Sequence, residues 1–168
     1  HIKTFGCQMN EHDSEKIAGI FNNDGMTKSD DIDNADVLFV NTCTIRENAD
    51  DKLYGTLGHL KKWKSLAPNR RLLVGGCAAQ KDKELVRERA PWVDVVIGTH
   101  NTTEVINLLN QAEDWGPITE IIEETTDIET EIAAVRESSV SAFVTIQIGC
   151  NNSCTFCIVP SVRGVEIS

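Results

Sequence analysis

The sequence predicts an α/β protein with an open parallel sheet flanked by helices. Short apolar runs alternate with longer segments of helical periodicity through residues 1–112, an alternation typical of parallel strands that helices connect. Hydrophobic residues make up 40% and charged residues 25% of the 168-residue chain, as in globular proteins. No run approaches the ~20 apolar residues that a membrane span needs. We therefore expect a globular protein without a membrane partner.

Four apolar runs predict the strands of this sheet. They are residues 2–5, 36–40, 72–74 and 93–97, and a weaker strand is predicted at 26–29. Short apolar runs bounded by turn signals are typical of buried strands. Because helical segments separate these runs, we expect the strands to pair in parallel.

The first two helices are predicted from the spacing of their apolar residues. Ile17, Ile20 and Phe21 lie on one face of the first helix. The second helix has apolar residues at steps of four or three from Ala49 to Leu60. Each spacing produces one apolar face that can cover the sheet.

Two further helices are predicted from their ends. The third, at residues 81–89, stops before Pro91. The fourth begins at a capping box formed by Asn101 and Glu104, a pairing typical of helix N-termini. Its apolar residues, which we expect to be buried, are Val105, Ile106, Leu108 and Leu109.

The formal net charge of −10 is concentrated in one segment. Nine acidic residues and one basic residue lie within residues 113–138. Together with Gly116-Pro117, this composition is typical of a solvated connector, and the isoleucines within it are compatible with a short strand. We therefore predict a domain at 1–112, an acidic linker at 113–138 and the start of a second domain at 139–168.

Three of the six cysteines directly follow predicted strands. These strand-end cysteines are Cys7, Cys43 and Cys77. The carboxyl ends of parallel strands share one edge of a sheet, where ligands bind near a switch in strand order, so these cysteines should converge in space. Gly6 and Gly76, directly before two of them, allow the tight turns and close approach that a bulky cofactor needs.

Several interpretations of the strand-end cysteines stay open. Each alone is compatible with a buried core residue, although three at the same type of position favour a shared site. A disulfide would leave one cysteine unpaired and needs an oxidising compartment, whereas the low cysteine content and the absence of an apolar leader at the start of the sequence favour a reducing one. Zinc takes four ligands, so a histidine such as His12 or His100 would have to join. An iron–sulfur cluster with one open iron fits three thiolates better.

The other three cysteines lie within one short segment. These loop cysteines, Cys150, Cys154 and Cys157, have the spacing Cys-x3-Cys-x2-Cys and follow residues 143–148, an alternating segment that predicts a strand. One loop can thus present three thiolates to an iron–sulfur cluster; zinc binding or an accidental spacing is the alternative. Ferredoxin-type spacings supply a fourth cysteine, but no cysteine follows Cys157 in this sequence. The fourth iron would be open to a small molecule.

The spacing of the loop cysteines resembles the signature of radical S-adenosylmethionine enzymes. The N-terminal domain of the methylthiotransferases is similar to three further segments: Thr4-Phe5-Gly6-Cys7-Gln8-Met9-Asn10, Asn41-Thr42-Cys43 and Gly75-Gly76-Cys77. Within that family, the residues that follow Cys7 and Cys43 most resemble the branch that modifies isopentenyl-adenosine in tRNA. The resemblance covers essentially the whole chain, and it implies that residues 139–168 contain the first strand of a partial TIM-type barrel of the radical enzymes.

The resemblance implies two [4Fe-4S] clusters and S-adenosylmethionine as cofactors. The loop cysteines would hold the cluster that binds S-adenosylmethionine and cleaves it to a 5′-deoxyadenosyl radical, with Phe156 near the bound cofactor. The strand-end cysteines would hold an auxiliary cluster that delivers sulfur, and a second S-adenosylmethionine would supply a methyl group. Sulfur and methyl would be inserted at C2 of the isopentenyl-adenosine next to the anticodon.

The resemblance also implies partners for the full-length enzyme, which would be a cytoplasmic monomer. An electron donor such as flavodoxin would reduce the clusters, and tRNA would bind through a C-terminal region. Because that region would supply the Lys and Arg that contact phosphates, the acidic net charge is no objection to tRNA. Residues 139–168 are too few for the barrel, so we expect the chain to be a fragment that is inactive alone.

Three alternative functions stay open on the sequence. One is methylthiotransfer to a ribosomal protein or to threonylcarbamoyl-adenosine in tRNA. A second is a flavodoxin-like electron-transfer module. The third is a non-catalytic iron–sulfur or zinc module.

Overall fold

The computed structural model of this protein describes residues 1–44, 49–123, 133–136 and 138–168. The strands are β1 (Ile2–Thr4), β2 (Val37–Thr42), β3 (Arg71–Gly76), β4 (Val95–Ile97) and β5 (Ile118–Glu120). The helices are α1 (Gln8–Asn23), α2 (Ala49–Ser65), α3 (Cys77–Asp82), α4 (Leu85–Arg89), α5 (Val105–Trp115) and α6 (Val159–Arg163), with 3-10 turns at Ile32–Asn34 and Thr102–Glu104. None of the helices in these ranges is both long and apolar enough to cross a membrane.

The strands form one open sheet in the order β1-β2-β3-β4-β5. Every neighbouring pair is parallel, and the predicted α/β class is therefore confirmed. The order of the described strands follows the chain without reversal, so the expected switch in strand order is not found among them. The binding site has to be located from its side chains instead.

Helices cover both faces of this sheet. Along β2, Leu38 and Val40 pack on one face and Phe39 packs on the other, as the two-residue period of a strand requires. The apolar side of α2 covers the first face through buried Leu53, Leu57, Leu60 and Trp63. Helices α1 and α5 cover the second face through buried Ile17, Phe21, Val105, Leu108 and Leu109. Ile20 and Ile106 are only partly buried at its margin.

The prediction of a weak strand at residues 26–29 is wrong. The Met26 amide bonds the carbonyl of Phe21 at 3.0 Å, as part of the turn that ends α1. The Ser29 carbonyl accepts a hydrogen bond from the His1 ring nitrogen Nδ1 at 2.9 Å. These backbone groups are engaged in local and side-chain contacts rather than in a strand ladder.

The predicted third helix is divided in two. Helix α3 begins at Cys77, directly after β3, and α4 begins at Leu85. Lys83 between them has a φ of +50°, a left-handed conformation that interrupts a right-handed helix. Cys77 is therefore a helix residue at the strand end.

The fourth helix does not use the predicted cap. Asn101 makes no side-chain hydrogen bond to the helix start. Instead its Nδ2 donates to the carbonyl of Glu120 at 3.1 Å and ties the start of the helix to β5. Residues 102–104 form a 3-10 turn and α5 begins at Val105. A tertiary contact thus replaces the local capping hydrogen bond.

The segment predicted to be a linker contributes to the sheet. Helix α5 extends to Trp115, and β5 pairs with β4. Further along, a Cβ on Gly19 of α1 would lie 1.7 Å from the carbonyl oxygen of Ala133. Residues 133–136 therefore pass directly over α1 at a position where only glycine fits.

The strand predicted at residues 143–148 is not formed. Only Ile148 pairs, through an isolated antiparallel bridge with Ile167. Val144 and Ile146 are 76% and 81% exposed. A strand requires a neighbour to accept and donate its backbone hydrogen bonds, and the described residues supply one only at Ile148. Membership of this segment in a barrel stays a prediction.

We expect Leu57→Ala to lower the free energy of unfolding by about 2–5 kcal/mol, because it leaves a cavity under α2. Leu57 is 0% exposed, whereas Leu66, just beyond α2, is 64% exposed. The matched control Leu66→Ala should change stability by less than about 0.5 kcal/mol. Urea unfolding followed by circular dichroism measures both, and equal losses would contradict the described core.

Candidate functional site

The strand-end cysteines follow three neighbouring strands at one edge of the sheet. Cys7 immediately precedes α1 on the chain leaving β1, Cys43 follows β2, and Cys77 follows β3. Thr42 and Gly76 are register partners, so Cys43 and Cys77 leave their strands at the same level. Adjacent strands are spaced about 4.8 Å apart. The carboxyl ends of β1, β2 and β3 therefore lie side by side at one edge of the sheet, as expected.

A buried amide network connects the first two cysteines. Asn10 is 0% exposed, and its Nδ2 donates to the Thr42 carbonyl at 2.7 Å and to Asn41 Oδ1 at 3.1 Å. In return, Asn41 Nδ2 donates to the Asn10 carbonyl at 2.8 Å. The Cys7 thiol lies 3.6 Å from Asn10 Oδ1. The network fixes the start of α1, and Cys7 with it, against the end of β2.

The roles of Asn10 and Asn41 were not predicted from the sequence. The signal for Asn41 is its position, an amide at the end of an otherwise apolar strand, one residue before the pair Thr42-Cys43. Buried amides need partners for both their donors and their acceptor. A polar residue at such a position indicates a partner across the sheet edge.

Two glycines let neighbouring segments of the chain pack closely together at this edge of the sheet. Gly6 has a φ of +125°, and a Cβ there would lie 2.8 Å from the Cβ and 3.1 Å from the Sγ of Cys43. Gly76 has a φ of +89°, and a Cβ there would lie 2.4 Å from Asn41 Oδ1. Both positions therefore exclude any side chain. Beside Gly6 and Cys43, a cavity of about 210 Å³ extends to Lys52.

Helix α6 packs on the same edge of the sheet. Its Val162 is 1% exposed, and the Val162 carbonyl accepts a hydrogen bond from Thr99 Oγ1 at 2.6 Å. Arg163, the last residue of α6, is 5% exposed and its Nε donates to Cys77 Sγ at 3.3 Å. The role of Arg163 was not predicted, because nothing near it in sequence indicates a partner 86 residues away.

Electrostatics around Cys77 depend on this arginine. Burial raises the pKa of the Cys77 thiol, the charge and hydrogen bond of Arg163 lower it, and nearby Asp13 and Cys43 raise it further. Burial alone would lower the pKa of Arg163, but Asp13 and Cys77 raise it well above its usual range. Arg163 is therefore a permanent cation beside the buried thiol.

The loop cysteines lie directly before α6. Their loop closes through the bridge between Ile148 and Ile167, and the Cys150 amide bonds the Gly164 carbonyl at 3.2 Å. Within the loop, the Cys157 amide bonds the Cys154 carbonyl at 3.2 Å. Cys154 and Cys157 are exposed and Cys150 is partly buried.

Three other candidate residues, Phe156, His12 and His100, have definite surroundings. Phe156 is 97% exposed. His12 Nδ1 lies 3.6 Å from Glu15 Oε2 and 3.3 Å from Arg136 Nη1, and burial is the main cause that lowers its pKa. His100 packs beside Gly164, where an added Cβ would lie 3.2 Å from the ring. His12 is thus engaged in a polar cluster with Glu15 and Arg136.

The spacing of the thiols bears on which metal group they could hold. Within the described ranges, no group of three or more His, Cys, Asp or Glu is gathered closely enough to hold a single metal ion. Thiolate sulfurs around a single zinc would lie about 3.8 Å apart, since each Zn–S bond is about 2.3 Å long, whereas a cluster of several irons is larger. Two sets of three thiols, one of them beside the cavity of about 210 Å³ at Gly6 and Cys43, fit iron–sulfur ligation by donor chemistry.

The fold and this edge define an α/β protein with a parallel sheet, three strand-end thiols and a second cysteine-bearing loop packed beside them. The chain belongs to the family described as Uncharacterized protein family UPF0004, whose model matches residues 1–98.

Relatives extend the similarity to nearly the whole chain. The tRNA-2-methylthio-N(6)-dimethylallyladenosine synthase of Corynebacterium efficiens is 49% identical over 166 residues, which is 98% of this chain and 32% of the relative. Enzymes of the same name match over 167 residues, 99% of this chain and 33% of each relative, in Mycolicibacterium smegmatis at 48% and Mycobacterium bovis at 49% identity. The resemblance stated from the cysteine segments is confirmed, and the chain spans about a third of the length of these relatives.

We expect Gly76→Ala to destabilise the protein more than Gly25→Ala. Both glycines have positive φ, +89° and +87°, but an added Cβ meets Asn41 and Thr42 at position 76 and nothing within 4 Å at position 25. Backbone strain should cost each variant about 1–2 kcal/mol, and the clash should add about 1–3 kcal/mol at position 76. Thermal unfolding of both variants measures the difference. Equal melting temperatures would show that the strand-end turn tolerates a side chain.

Proposed function

We propose that this chain is the N-terminal part of a tRNA methylthiotransferase that inserts sulfur and a methyl group at C2 of isopentenyl-adenosine next to the anticodon. The observation behind the proposal is the 48–49% identity over 98–99% of the chain to synthases of that modification. The matched region includes both the strand-end cysteines and the loop cysteines. The similarity to these synthases is therefore not limited to one of the two sets.

The cysteines have different tasks in this proposal. Cys7, Cys43 and Cys77 hold an auxiliary [4Fe-4S] cluster, and Cys150, Cys154 and Cys157 hold a second. When bound, these clusters and S-adenosylmethionine supply the electron, the sulfur and the methyl group of the reaction. Residues 139–168 then begin a radical-enzyme domain, and the acidic residues that follow β5 link it to the first domain.

The protein residues around the strand-end thiols orient them and keep water away. Asn10 holds the start of α1 against the end of β2, which positions Cys7 relative to Cys43. Cys43 and Cys77 are 6% and 1% exposed, so the cluster would be held against a dry edge of the sheet. Phe156 is exposed on the loop, and in this proposal it would contact S-adenosylmethionine.

The proposed substrate and partners require the rest of the full-length protein. The chain has no net positive charge that would attract phosphates, because its net charge is −10; in this proposal the Lys and Arg that bind tRNA are supplied mainly by the remaining two thirds. An electron donor such as flavodoxin reduces the clusters. We propose that the enzyme acts as a monomer in the cytoplasm.

Substitution of each set of cysteines tests this division of tasks in the full-length enzyme. In Cys150→Ala, Cys154→Ala or Cys157→Ala, cleavage of S-adenosylmethionine to 5′-deoxyadenosine should stop, because one of three thiolate ligands is lost. In Cys7→Ala, Cys43→Ala or Cys77→Ala, cleavage should continue while methylthio-adenosine is no longer formed. Mass spectrometry of both products, with iron content per protein, measures the outcome.

The two sets of variants serve as matched controls for each other. Full methylthiolation by Cys43→Ala would contradict the proposed sulfur delivery. Loss of all cofactor cleavage in Cys43→Ala, with the fold intact by circular dichroism, would contradict the separation of the two sites.

The chain alone should bind iron and sulfide after anaerobic reconstitution but should not modify tRNA. Positioning of S-adenosylmethionine and of the adenosine needs residues beyond 168, and a misplacement of about 1 Å can cost ~100-fold in rate. Iron and sulfide analysis together with mass spectrometry of digested tRNA tests this expectation. Methylthio-adenosine formed by the chain alone would show that residues beyond 168 are not needed for the reaction, contrary to this proposal.

A further inference from the structure

Arg163 is a buried cation that contacts α1, near the start of the chain, and α3, in its middle. Its Nε donates to Cys77 Sγ at 3.3 Å, and its Nη2 forms an ion pair with Asp13 Oδ2 at 2.7 Å. The Arg163 side chain is 6% exposed and that of Asp13 is 23% exposed. Burial of a cation is costly unless its partners are in place. The position of α6 therefore depends on both α1 and α3.

The same arginine is coupled to the loop cysteines through the backbone. Gly164, the next residue, accepts the hydrogen bond from the Cys150 amide at 3.2 Å. Gly164 has a φ of +75° and lies beside the His100 ring, so the chain turns sharply there. A displacement of Arg163 would thus move the residue that holds Cys150.

We propose that Arg163 is a positioning residue that fastens the loop cysteines to the sheet edge and donates a hydrogen bond to Cys77 in its role as a cluster ligand. The second part rests on the proposed function, whereas the first does not. The guanidinium is suited to both contacts, because its planar fork can donate to the sulfur and the carboxylate at the same time. A lysine ammonium can keep the charge near Asp13 but has no such fork.

The first test needs no cluster. Cys77 is 1% exposed, so iodoacetamide reaches its thiolate only after α6 has moved away, when Arg163 no longer affects the pKa of the thiol. In full-length apoprotein, Cys77 should therefore react about tenfold faster in Arg163→Met than in the unchanged protein, the factor that a loss of about 1.4 kcal/mol in the closed state produces. Amide hydrogen exchange at Cys150 should also accelerate. Mass spectrometry of the peptides that contain Cys77 and Cys150 measures both rates.

Two further variants separate the contacts. Arg163→Lys should protect Cys77 better than Arg163→Met does, because the charge remains near Asp13. Arg71→Met is the matched control: it removes an arginine from the opposite end of β3, where Arg71 lies near Glu113, and it should leave Cys77 labelling unchanged. If Arg163→Met does not fold, Asp13→Asn replaces it and should also accelerate labelling of Cys77.

The second test examines the hydrogen bond to the ligand itself. Hydrogen bonds and positive charge at cluster sulfurs stabilise the reduced state and raise the reduction potential. In a reconstituted full-length protein whose loop cysteines are all changed to Ala, Arg163→Met should lower the potential of the remaining cluster. Arg163→Lys should lower it less, and a merely structural arginine would leave the potential unmoved.

The outcomes distinguish this inference from the proposed function. Unchanged labelling of Cys77 and unchanged exchange at Cys150 in folded Arg163→Met would overturn the positioning role. An unchanged potential would overturn the hydrogen bond to the ligand. Faster labelling together with absence of methylthio-adenosine from the unchanged full-length enzyme would support the positioning role while refuting the proposed function.

Discussion

The parallel ladder from β1 through β2 to β3 is the constraint on which the site depends. Parallel strands that start at one edge of a sheet must finish at the opposite one, so segments far apart in sequence leave the sheet side by side. Register then sets the depth of each residue, and the pairing of Thr42 with Gly76 places the next residues, Cys43 and Cys77, at one level. No direct attraction between the thiols is needed to bring them together.

The buried strands supply the rigidity that this arrangement needs. Leu38, Phe39, Val40 and the facing Leu72, Leu73 and Val74 are at most 1% exposed. Because alternate residues contribute to different faces, helices must pack on both sides of the sheet to keep both faces dry. The polar network of Asn10 and Asn41 begins where this apolar interior ends. Its hydrogen bonds hold the chain in a defined conformation after the strand.

Elements whose formation depends on the local pattern of apolar residues could be predicted from the sequence. The strands β1 to β4, the first two helices and the common edge of the strand-end cysteines could all be predicted from runs of apolar residues and their order. The capping of α5 could not, because Asn101 satisfies the Glu120 carbonyl, a partner that only the folded sheet provides. The break at Lys83 was equally hidden, since lysine is a good helix former.

Other features could not be predicted because they depend on contacts between residues that are far apart in sequence. Arg163 could not be assigned because its partners, Asp13 and Cys77, are recognisable only once α6 is packed on the sheet edge. Residues 143–148 have the alternation of a strand, yet that pattern describes a face and cannot supply a neighbouring strand. Residues 45–48, which include part of the segment after Cys43 that resembles the methylthiotransferases, lie outside the described residues.

The unequal exposure of the two sets of cysteines determines which thiols are oxidised first in air. Cys43 and Cys77 are almost fully covered, whereas Cys154 and Cys157 are exposed on one short loop. Oxidants react first with accessible thiols, and two accessible thiols on the same loop are the pair best placed to form a disulfide with each other. Oxidative damage to protein lacking metal would therefore begin at the loop cysteines, while the sheet edge keeps Cys43 and Cys77 reduced.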